Sequence, residues 1–475
     1  MVFASLLFLF VFLPLNLLFY YSTKNAQWRN AVLIIFSLAF YGWGEPIWIS
    51  LLILSSFFDW ANALFIDKHK GTKWAKVGVT VTVIFNLALL ATFKYDKFIV
   101  EQVNAVLGTS FSAPGYALPI GISFYTFHTI SYVVDVYRGD IKAQRNFFNF
   151  LMYVSLYSSL VAGPIIRYAH VQTEIDSRKE NLRDFSLGVS RFCIGLFKKV
   201  VIANIAAEIV KQYMGDNSDP LTLVELANLS TLEAWVGLIM FAIQIYFDFS
   251  GYSDMAIGLG RMFGFHFREN FNYPYISKSI GEFWRRWHIS LGSIFRDYVY
   301  IPLGGNKKNV YLNLFIVWFL TGLWHGPSWN FIFWGLYFFF FIALERAFLL
   351  KLLGKAPSFV SHIYALAVII PGWVIFYFTD MQILFAYVEK LFSFVPGTNG
   401  NAEVLNTLTT HLFWLITAVV LCMPVYHVAK DWIDKKHTRL GWYNFLVIGF
   451  NVVLLFICIA HLVGKSYNPF IYFRF

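Results

Sequence analysis

Charged side chains are scarce in this 475-residue chain: Asp, Glu, Lys and Arg make up 13% of it, against roughly 25% in soluble domains. Hydrophobic residues make up 58%. A water-soluble fold of this length would have to cover its surface with polar side chains that the sequence does not contain, so we exclude that class. The apolar runs are long and continuous, which excludes a barrel of short alternating strands and predicts an all-α polytopic membrane protein.

Cysteine is also scarce. The three cysteines, Cys193, Cys422 and Cys458, are far apart and lie in or beside apolar segments. Their spacing indicates neither a zinc site nor a disulfide framework, and we interpret them as small core residues. No Lys or Arg precedes the first apolar run, MVFASLLFLFVFLPLNLLFYY, and no small-residue cleavage site follows it. The run is therefore predicted to be a retained first helix with its N-terminus outside.

The net charge of +10 does not indicate a nucleic-acid partner, because of where the charge lies. Lys and Arg are concentrated in short loops between apolar runs, which is the positive-inside pattern of membrane proteins. The loops DKHKGTKWAK, RGDIKAQR and KDWIDKKHTR are therefore predicted to face the cytoplasm. The loops MGDNSDPLTLVELANLSTLE and VPGTNGNAEVLNTLTT contain no Lys or Arg and are predicted to lie outside.

Many apolar runs are candidate helices that cross or enter the membrane. They lie at 3–21, 31–43, 47–66, 77–93, 119–136, 148–166, 187–210, 232–247, 310–323, 329–350, 359–378, 411–428 and 442–463. Runs 31–43 and 310–323 are shorter than the ~20 residues of a perpendicular span and are expected to be tilted, re-entrant or broken. We expect 148–166 not to cross fully, because the basic segment RYAHVQTEIDSRKENLR follows it.

The longest stretch without a clean span is 261–309, which is basic, aromatic and interrupted by Gly and Pro. Irregular backbone cannot face lipid, so this stretch must pack into the protein or lie at the membrane surface. Within it, ISKSIGEFWRRWHISLGSIFRDYVY mixes apolar and cationic residues as an interfacial helix does. Its arginines Arg285, Arg286 and Arg296 are candidates for phosphate binding, and a cytoplasmic surface anchor is the alternative.

His325 is the leading candidate for chemistry. It lies in LTGLWHGPSWNFIFWG, between apolar runs and directly before Gly and Pro. Those residues predict a helix end inside the membrane region, which is tolerated only beside protein or a water-filled cavity. A histidine at such a place can transfer protons near neutral pH. For every histidine in an apolar run, the alternative is a buried, hydrogen-bonded structural imidazole.

His288, in WRRWHISLG, is the second candidate. If it meets His325, one neutral imidazole could abstract a proton while the other orients or polarises the reacting group. Asp248 and Asp254 lie in the apolar stretch YFDFSGYSDMAIGLGRMFG, six residues apart. That spacing puts them on different faces of a helix, so a paired-carboxylate or metal site is not expected. Gly251 and Ser253, which lie between the two aspartates, suggest a kink or close helix packing. We interpret the four residues as a structural hinge that lines the site.

The chain resembles the membrane-bound O-acyltransferase family over nearly its whole length, and within it the bacterial alginate O-acetyltransferase branch. The teichoic acid D-alanine transfer protein belongs to a related branch. The stretches that carry the resemblance are the start MVFASLLFLFVFLPL, then FYGWGEP, LPIGISFYTFHTISYVVDVYRG, VAGPIIRY, YFDFSGYSDMAIGLGRMFGF, NFNYPYISKSIGEFWRRWHISLGSIFRDYVYIPLGG, LTGLWHGPSWNFIFWG and the tail NPFIYFRF. Each is weakly specific alone, but their common order is highly specific.

The resemblance implies a fold and a division of the chain. The fold is a ring of about 11–13 tilted or re-entrant helices around a thinned centre, with funnels from both faces meeting near the essential histidine. One membrane domain would fill residues 1–475, with N-terminal helices in 1–115, a catalytic core in 116–350 and C-terminal helices in 351–475. The family's essential histidine matches His325, and its second polar position matches His288.

The resemblance also implies an activity. Acetyl groups would come from acetyl-CoA in the cytoplasm and pass across the bacterial cell (inner) membrane to an extracytoplasmic polysaccharide, through a partner protein with a serine-esterase-like fold. Arg285, Arg286 and Arg296 would contact the CoA phosphates, and Trp324, Asp248 and Asp254 would line the substrate site. No bound cofactor, metal or nucleic acid is expected. From the residues alone, a transporter or flippase for an envelope glycan or acyl group fits as well; D-alanyl transfer to teichoic acid is a further alternative.

Overall fold

The computed structural model describes residues 1–216, 218–394, 401–425 and 441–464, the last range without the side chains of 441–444. Every regular element in these ranges is helical, which confirms the all-α prediction. The predicted cytoplasmic loop KDWIDKKHTR and the tail NPFIYFRF lie outside the described residues, as does the first part of the predicted outside loop VPGTNGNAEVLNTLTT.

Several helices are long and apolar enough to cross a membrane. Among the described residues there are five: Ile49–Lys68, Lys73–Lys94, Thr231–Met262, Ser358–Tyr377 and Phe445–Val463. The helices Ala402–Thr410 and Leu412–Leu421 meet at a bend of 66° and would make a sixth if they form one broken span. The chain is therefore a multi-pass membrane protein.

The chain divides into two compact units, of which the first comprises Met1–Leu196 and Tyr252–Glu269. After a π-helical turn at Phe8–Phe12, its helices are α1 (Leu13–Tyr21), α2 (Ala26–Gly44), α3 (Ile49–Lys68), α4 (Lys73–Lys94), α5 (Asp96–Leu107), α6 (Ile122–Arg138), α7 (Phe147–Ser155), α8 (Tyr157–Leu160), α9 (Tyr168–Asp176) and α10 (Leu182–Phe197). Aromatic rings of Phe3, Phe8, Phe12, Phe40 and Tyr157 pack together in its core.

The second unit comprises Phe197–Gly251 and Asn270–Phe475. Its helices are α11 (Asn204–Met214), α12 (Leu223–Asn228), α13 (Thr231–Met262), α14 (Ile280–Arg286), α15 (Ile289–Phe295), α16 (Val310–His325), α17 (Trp329–Leu344), α18 (Leu350–Leu353), α19 (Ser358–Tyr377), α20 (Met381–Phe392), α21 (Ala402–Thr410), α22 (Leu412–Leu421) and α23 (Gly441–Val463). π-helical turns lie at Lys198–Ala203, Arg296–Tyr300 and Glu345–Leu349, and a 3₁₀ turn at Pro274–Ile276.

Two sequence expectations about irregular segments can be compared with these bounds. The run 148–166 is not one helix: α7 ends at Ser155, α8 ends at Leu160 and no helix follows before α9. The expectation that it does not cross the membrane fully stays a prediction. The segment 276–300, predicted as one interfacial helix, is instead two short helices separated at Trp287 and His288. The prediction of a single helix was wrong because His288 takes a left-handed backbone conformation, with φ 45° and ψ 52°, which stops an α-helix.

Helix α13 carries both candidate aspartates and belongs to both units, up to Gly251 in the second and from Tyr252 in the first. Gly251 and Ser253 lie inside this helix, and the kink or close packing expected there stays a prediction. Close packing is observed at another glycine of the helix, within the first unit. A Cβ atom on Gly258 would lie 2.6 Å from the carbonyl oxygen of Gly188, so no larger residue fits there.

Candidate active site

His325 is the last residue of α16, as the sequence predicted. Gly326 follows in an extended conformation with ψ 162°, which is the conformation that a residue before proline favours. Pro327 has no N–H to continue the helix, and α17 begins at Trp329. The break therefore places an imidazole at the junction of two apolar helices.

Aromatic rings surround the His325 imidazole. The ring centroids of Trp334 and Trp324 both lie 4.9 Å from its centroid, and that of Phe376 lies at 5.1 Å. The planes of Trp334 and Phe376 are each turned by 83° from the imidazole plane, which is the favoured edge-to-face arrangement. His325 itself is only partly buried. The site thus restrains the ring while leaving part of it accessible.

The two helices that meet at His325 pack at very short range. A Cβ on Gly322 of α16 would overlap the backbone carbonyl of Phe331, and one on Gly335 of α17 would overlap the carbonyl of Trp318. Glycine is required at both positions because the two backbones touch there. This contact fixes where α17 leaves the break and so helps to fix the position of His325.

His288 lies between α14 and α15 and is 3% exposed. Its ring centroid is 4.7 Å from that of Phe249, at an interplanar angle of 83°. Its Nδ1 atom is 3.1 Å from Oδ1 of Asn270, a residue that is fully buried. Sequence reasoning did not single out Asn270; its place in the stretch NFNYPYIS was the only signal, and its partner could not be seen from spacing.

Trp324 brings the two histidines into one site. Its ring centroid lies 4.9 Å from that of His325 and 6.2 Å from that of His288. Trp324 is 7% exposed. Sequence analysis left open whether His288 and His325 meet, and the structure places both rings against one indole.

A scaffold of tryptophans supports this arrangement. Trp287 precedes His288, and its ring centroid lies 4.9 Å from that of Trp373. Trp373 in turn stacks at 6.3 Å on Trp334, the neighbour of His325. All three indoles are buried. Because buried indoles have few rotamers and large contact areas, this chain of rings holds the surroundings of both histidines rigid.

The start of α14 is held by a buried carboxylate that sequence reasoning missed. Glu345, 2% exposed, accepts hydrogen bonds from the N–H groups of Ile280 at 2.5 Å and Gly281 at 3.0 Å. Ser279 Oγ accepts a third, from Glu282 N–H, at 3.0 Å. The first turn of a helix has N–H groups without partners in the helix, and a carboxylate there also offsets the helix dipole. Glu345 therefore anchors the helix that leads to His288.

Of the predicted phosphate-binding arginines, Arg286 already has partners. Its Nε donates to Glu282 at 2.9 Å and its Nη1 donates to the carbonyl oxygen of Asn272 at 3.0 Å. Burial alone would raise the pKa of Glu282, but hydrogen bonds from the Lys278 N–H and from Arg286 outweigh it and the pKa is lowered. Glu282 is thus a charged partner of Arg286 at neutral pH.

The other two arginines differ in exposure and surroundings. Arg296 has a side chain that is 64% exposed, and it pairs with the neighbouring Asp297 at 2.6 Å. Arg285 interacts electrostatically with Glu345. A second hydrogen bond joins Arg296 Nη2 to the other carboxylate oxygen of Asp297 at 3.1 Å, so this exposed guanidinium is paired in a bidentate manner.

Asp248 and Asp254 each pair with a different cation. In the second unit Asp248 contacts Lys199 Nζ at 2.7 Å, and Lys199 also donates to Asn204 Oδ1 at 3.0 Å. In the first unit Asp254 contacts Arg191 at 2.6 Å. Each of the two carboxylates thus has a cationic partner of its own. In the part of the chain that the structure describes, no cluster of three or more His, Cys, Asp and Glu residues could hold a metal ion.

Comparison with known proteins decides the family. Residues 140–388 match the model of the membrane-bound O-acyltransferase family. The chain is 37% identical to a probable alginate O-acetylase of Azotobacter vinelandii over 516 aligned positions that cover both chains completely. The chain belongs to the membrane-bound O-acyltransferase family. It is an O-acyltransferase of the multi-pass membrane type.

Other members of this O-acyltransferase family act on other substrates. A peptidoglycan O-acetyltransferase of Helicobacter pylori is 32% identical over 84% of this chain and 80% of its own length. A teichoic acid D-alanyltransferase of Bacillus subtilis is 31% identical over 46% of this chain and 56% of its own. The similarity to acetyl-transferring relatives thus covers far more of the chain than the similarity to the D-alanyl-transferring one.

Proposed function

We propose that the protein takes acetyl groups from acetyl-CoA in the cytoplasm and passes them across the cell membrane for O-acetylation of an extracytoplasmic polysaccharide. The observation that carries the proposal is the position of His325, at the break between α16 and α17, with Trp324 in contact with both His325 and His288. Acetyl is favoured over D-alanyl because the acetylase relatives match over the full chain. Acyl transfer, rather than transport, is the activity of the family.

His325 acts as the general base in this proposal. It takes the proton of the attacking hydroxyl, whose oxygen bonds to the acetyl carbonyl carbon. The thioester C–S bond then breaks, and the imidazolium returns the proton to the departing thiolate, so the histidine is unchanged after one turnover. Restraint of the imidazole by its aromatic neighbours favours this step, because proton transfer requires the base to be held in a fixed place.

The arginine side chains of α14 and of the π-helical turn after α15, Arg285, Arg286 and Arg296, are proposed to bind the donor. Guanidinium groups bind phosphate in a bidentate manner, and Arg296 is the most available of the three because its side chain is exposed. The acceptor side is proposed to involve an esterase-like partner protein outside the membrane, which receives the acetyl group and completes transfer to the sugar.

The direct test is acetyl transfer from labelled acetyl-CoA in membranes that contain His325→Ala. Loss of a general base costs about 10²–10⁴-fold in rate, so we expect transfer to fall at least 100-fold while the protein remains inserted. His461→Ala is the matched control. His461 lies in the apolar helix α23, and its Nδ1 atom is within hydrogen-bond distance of the Ile457 carbonyl oxygen in the same helix. Normal transfer by His325→Ala, or equal loss in the control, would overturn the assignment.

A further inference from the structure

The Asn270 side chain has an orientation that its contacts determine. Its Oδ1 accepts a hydrogen bond from the backbone N–H of Ser290 at 3.2 Å and another from the Ser290 hydroxyl at 2.8 Å. A backbone N–H can only donate, so the atom facing it must be the amide oxygen and not the amide nitrogen. Rotating the amide by 180° would set two donors against each other. The Asn270 oxygen is therefore fixed as an acceptor.

This acceptor determines which nitrogen of His288 carries a proton. The His288 Nδ1 atom lies 3.1 Å from the same Asn270 oxygen. An oxygen that can only accept requires a donor opposite, so Nδ1 carries the hydrogen. Burial lowers the pKa of His288 to about 3, so the ring is neutral at pH 7. A neutral imidazole with a proton on Nδ1 has a lone pair on Nε2.

The Nε2 atom of His288 is buried and has no hydrogen-bond partner among the residues that the structure describes. Leaving a polar atom buried without a partner is unfavourable, because the water it gave up on folding is not replaced. A partner that arrives with the substrate would remove this cost. Because Nε2 has a lone pair and no proton, that partner must be a hydrogen-bond donor.

We propose that Asn270 is a positioning residue that holds His288 in its Nδ1–H form, so that Nε2 accepts a hydrogen bond from an O–H or N–H group of the acyl acceptor that is adjacent to the reacting hydroxyl. The inference rests on the proposed function and gives the hydrogen bond between His288 and the acceptor a direction. It excludes the opposite role for neutral His288, donation of a hydrogen bond from Nε2 to the acetyl carbonyl oxygen. His288 then orients the acceptor, and the single proton of the reacting hydroxyl goes to His325.

The backbone around His288 is fixed by the same asparagine and its neighbours. The Ile289 N–H donates to the Asn270 carbonyl oxygen at 2.9 Å, and the Asn272 N–H donates to the Arg286 carbonyl oxygen at 2.9 Å. These two bonds join the irregular segment before α14 to the turn after it. They stabilise the left-handed conformation of His288, which is unfavourable in a residue other than glycine. Ring direction, tautomer and backbone are thus set by one local network.

The tautomer can be read directly from the purified full-length protein labelled with ¹⁵N-histidine. Nitrogen resonances of a protonated and a bare ring nitrogen are well separated, and the His288 signals are identified by their loss in His288→Gln. We expect Nδ1 protonated and Nε2 bare in the wild type and in Asn270→Asp, which keeps an acceptor oxygen. In Asn270→Leu we expect the Nε2–H form to appear. An Nε2–H tautomer in the wild type, or an unchanged tautomer in Asn270→Leu, would overturn the proposal.

Kinetics provide a second measurement. In metal sites, loss of the partner that orients a ligating histidine costs roughly 10–100-fold in affinity or activity. By analogy we expect Asn270→Leu to lower kcat by about that factor while KM for acetyl-CoA stays unchanged. Asn270→Asp should restore most of kcat. Asn313→Ala is the matched control: Asn313 is another buried asparagine of the second unit, and it binds the backbone carbonyls of Gly305 and Lys308.

The outcomes separate this inference from the proposed function. The control should keep both the His288 tautomer and the wild-type kcat per folded molecule. If the tautomer is as expected but His325→Ala remains active, the proposed function fails and the assignment of the His288 tautomer stands. If His325→Ala is inactive but Asn270→Leu retains full kcat, the positioning role fails and the proposed function stands.

Discussion

The buried ion pair between Lys199 and Asp248 allows a prediction that separates structure from substrate binding. The side chains are 5% and 1% exposed, and their charged atoms are 2.7 Å apart. Removing one partner of such a pair leaves an uncompensated charge away from water, which costs about 3–5 kcal/mol. We therefore expect Asp248→Leu and Lys199→Met each to destabilise the protein strongly. The combined Lys199→Met/Asp248→Leu variant should recover most of the stability, because replacing a whole buried pair by apolar residues is often neutral.

The assay is a double-mutant cycle on the detergent-solubilised protein. The fraction that stays folded after heating is measured by size-exclusion chromatography for the wild type, both single variants and the double variant, and acetyl transfer is measured on the same samples. A double variant as unstable as the single variants would refute the ion-pair reasoning. A double variant with wild-type stability but no transfer would instead show that the pair is needed for transfer itself, as expected if Asp248 lines the substrate site. Recovery of both quantities would assign Asp248 a purely structural role.

Three further predictions concern the site. His288→Asn should keep part of the transfer rate because an amide oxygen can still accept a hydrogen bond, whereas His288→Ala should lose more; equal and complete loss in both would indicate proton transfer by His288 instead. Arg296→Gln, which removes the charge of Arg296, should raise the apparent KM for acetyl-CoA while membrane insertion of the protein stays unchanged. The same two quantities are measured for Arg285→Gln as a comparison. An unchanged KM with altered membrane insertion would indicate a surface anchor. Glu345→Ala should destabilise the protein by about 1–3 kcal/mol because two N–H groups of α14 lose their acceptor, and Glu345→Gln should recover part of that loss. Thermal unfolding measures the stability of each variant. Equal stability of Glu345→Ala and the wild type would contradict the prediction.

A separate experiment tests on which side of the membrane the segment with Arg285 and Arg296 lies. Cysteines introduced in place of Arg285 or Arg296 should react with an impermeant thiol reagent only from the cytoplasmic side. The native Cys193 and Cys458 are buried, and Cys422, which is partly exposed, is replaced by serine in every labelled variant and in the unlabelled background. Labelling from outside intact cells would contradict both the orientation and the donor site.

Local chemistry in the sequence was sufficient for several features of the molecule. The scarcity of charge and the long apolar runs predicted a multi-pass helical protein, because a lipid environment leaves the backbone few other ways to satisfy its hydrogen bonds. Gly326 and Pro327 predicted the end of a helix at His325, because proline restricts the residue before it and has no N–H group of its own. The order of the motifs along the chain indicated the family. Each of these conclusions depends only on which residues follow one another in the chain, and the sequence gives that information completely.

Contacts between distant residues were decided only by tertiary structure. Asn270 meets His288 and Glu345 meets Ile280 across 18 and 65 positions, and no periodicity encodes such pairs. The single interfacial helix expected at 276–300 divides at His288 because hydrogen bonds from elsewhere in the unit stabilise a left-handed conformation that local propensity disfavours. Trp324 touches both histidines because α16 packs near the turn between α14 and α15. The sequence alone therefore determined which residues could carry out chemistry in a membrane, whereas packing between helices decided which of them meet and which nitrogen of His288 presents its lone pair.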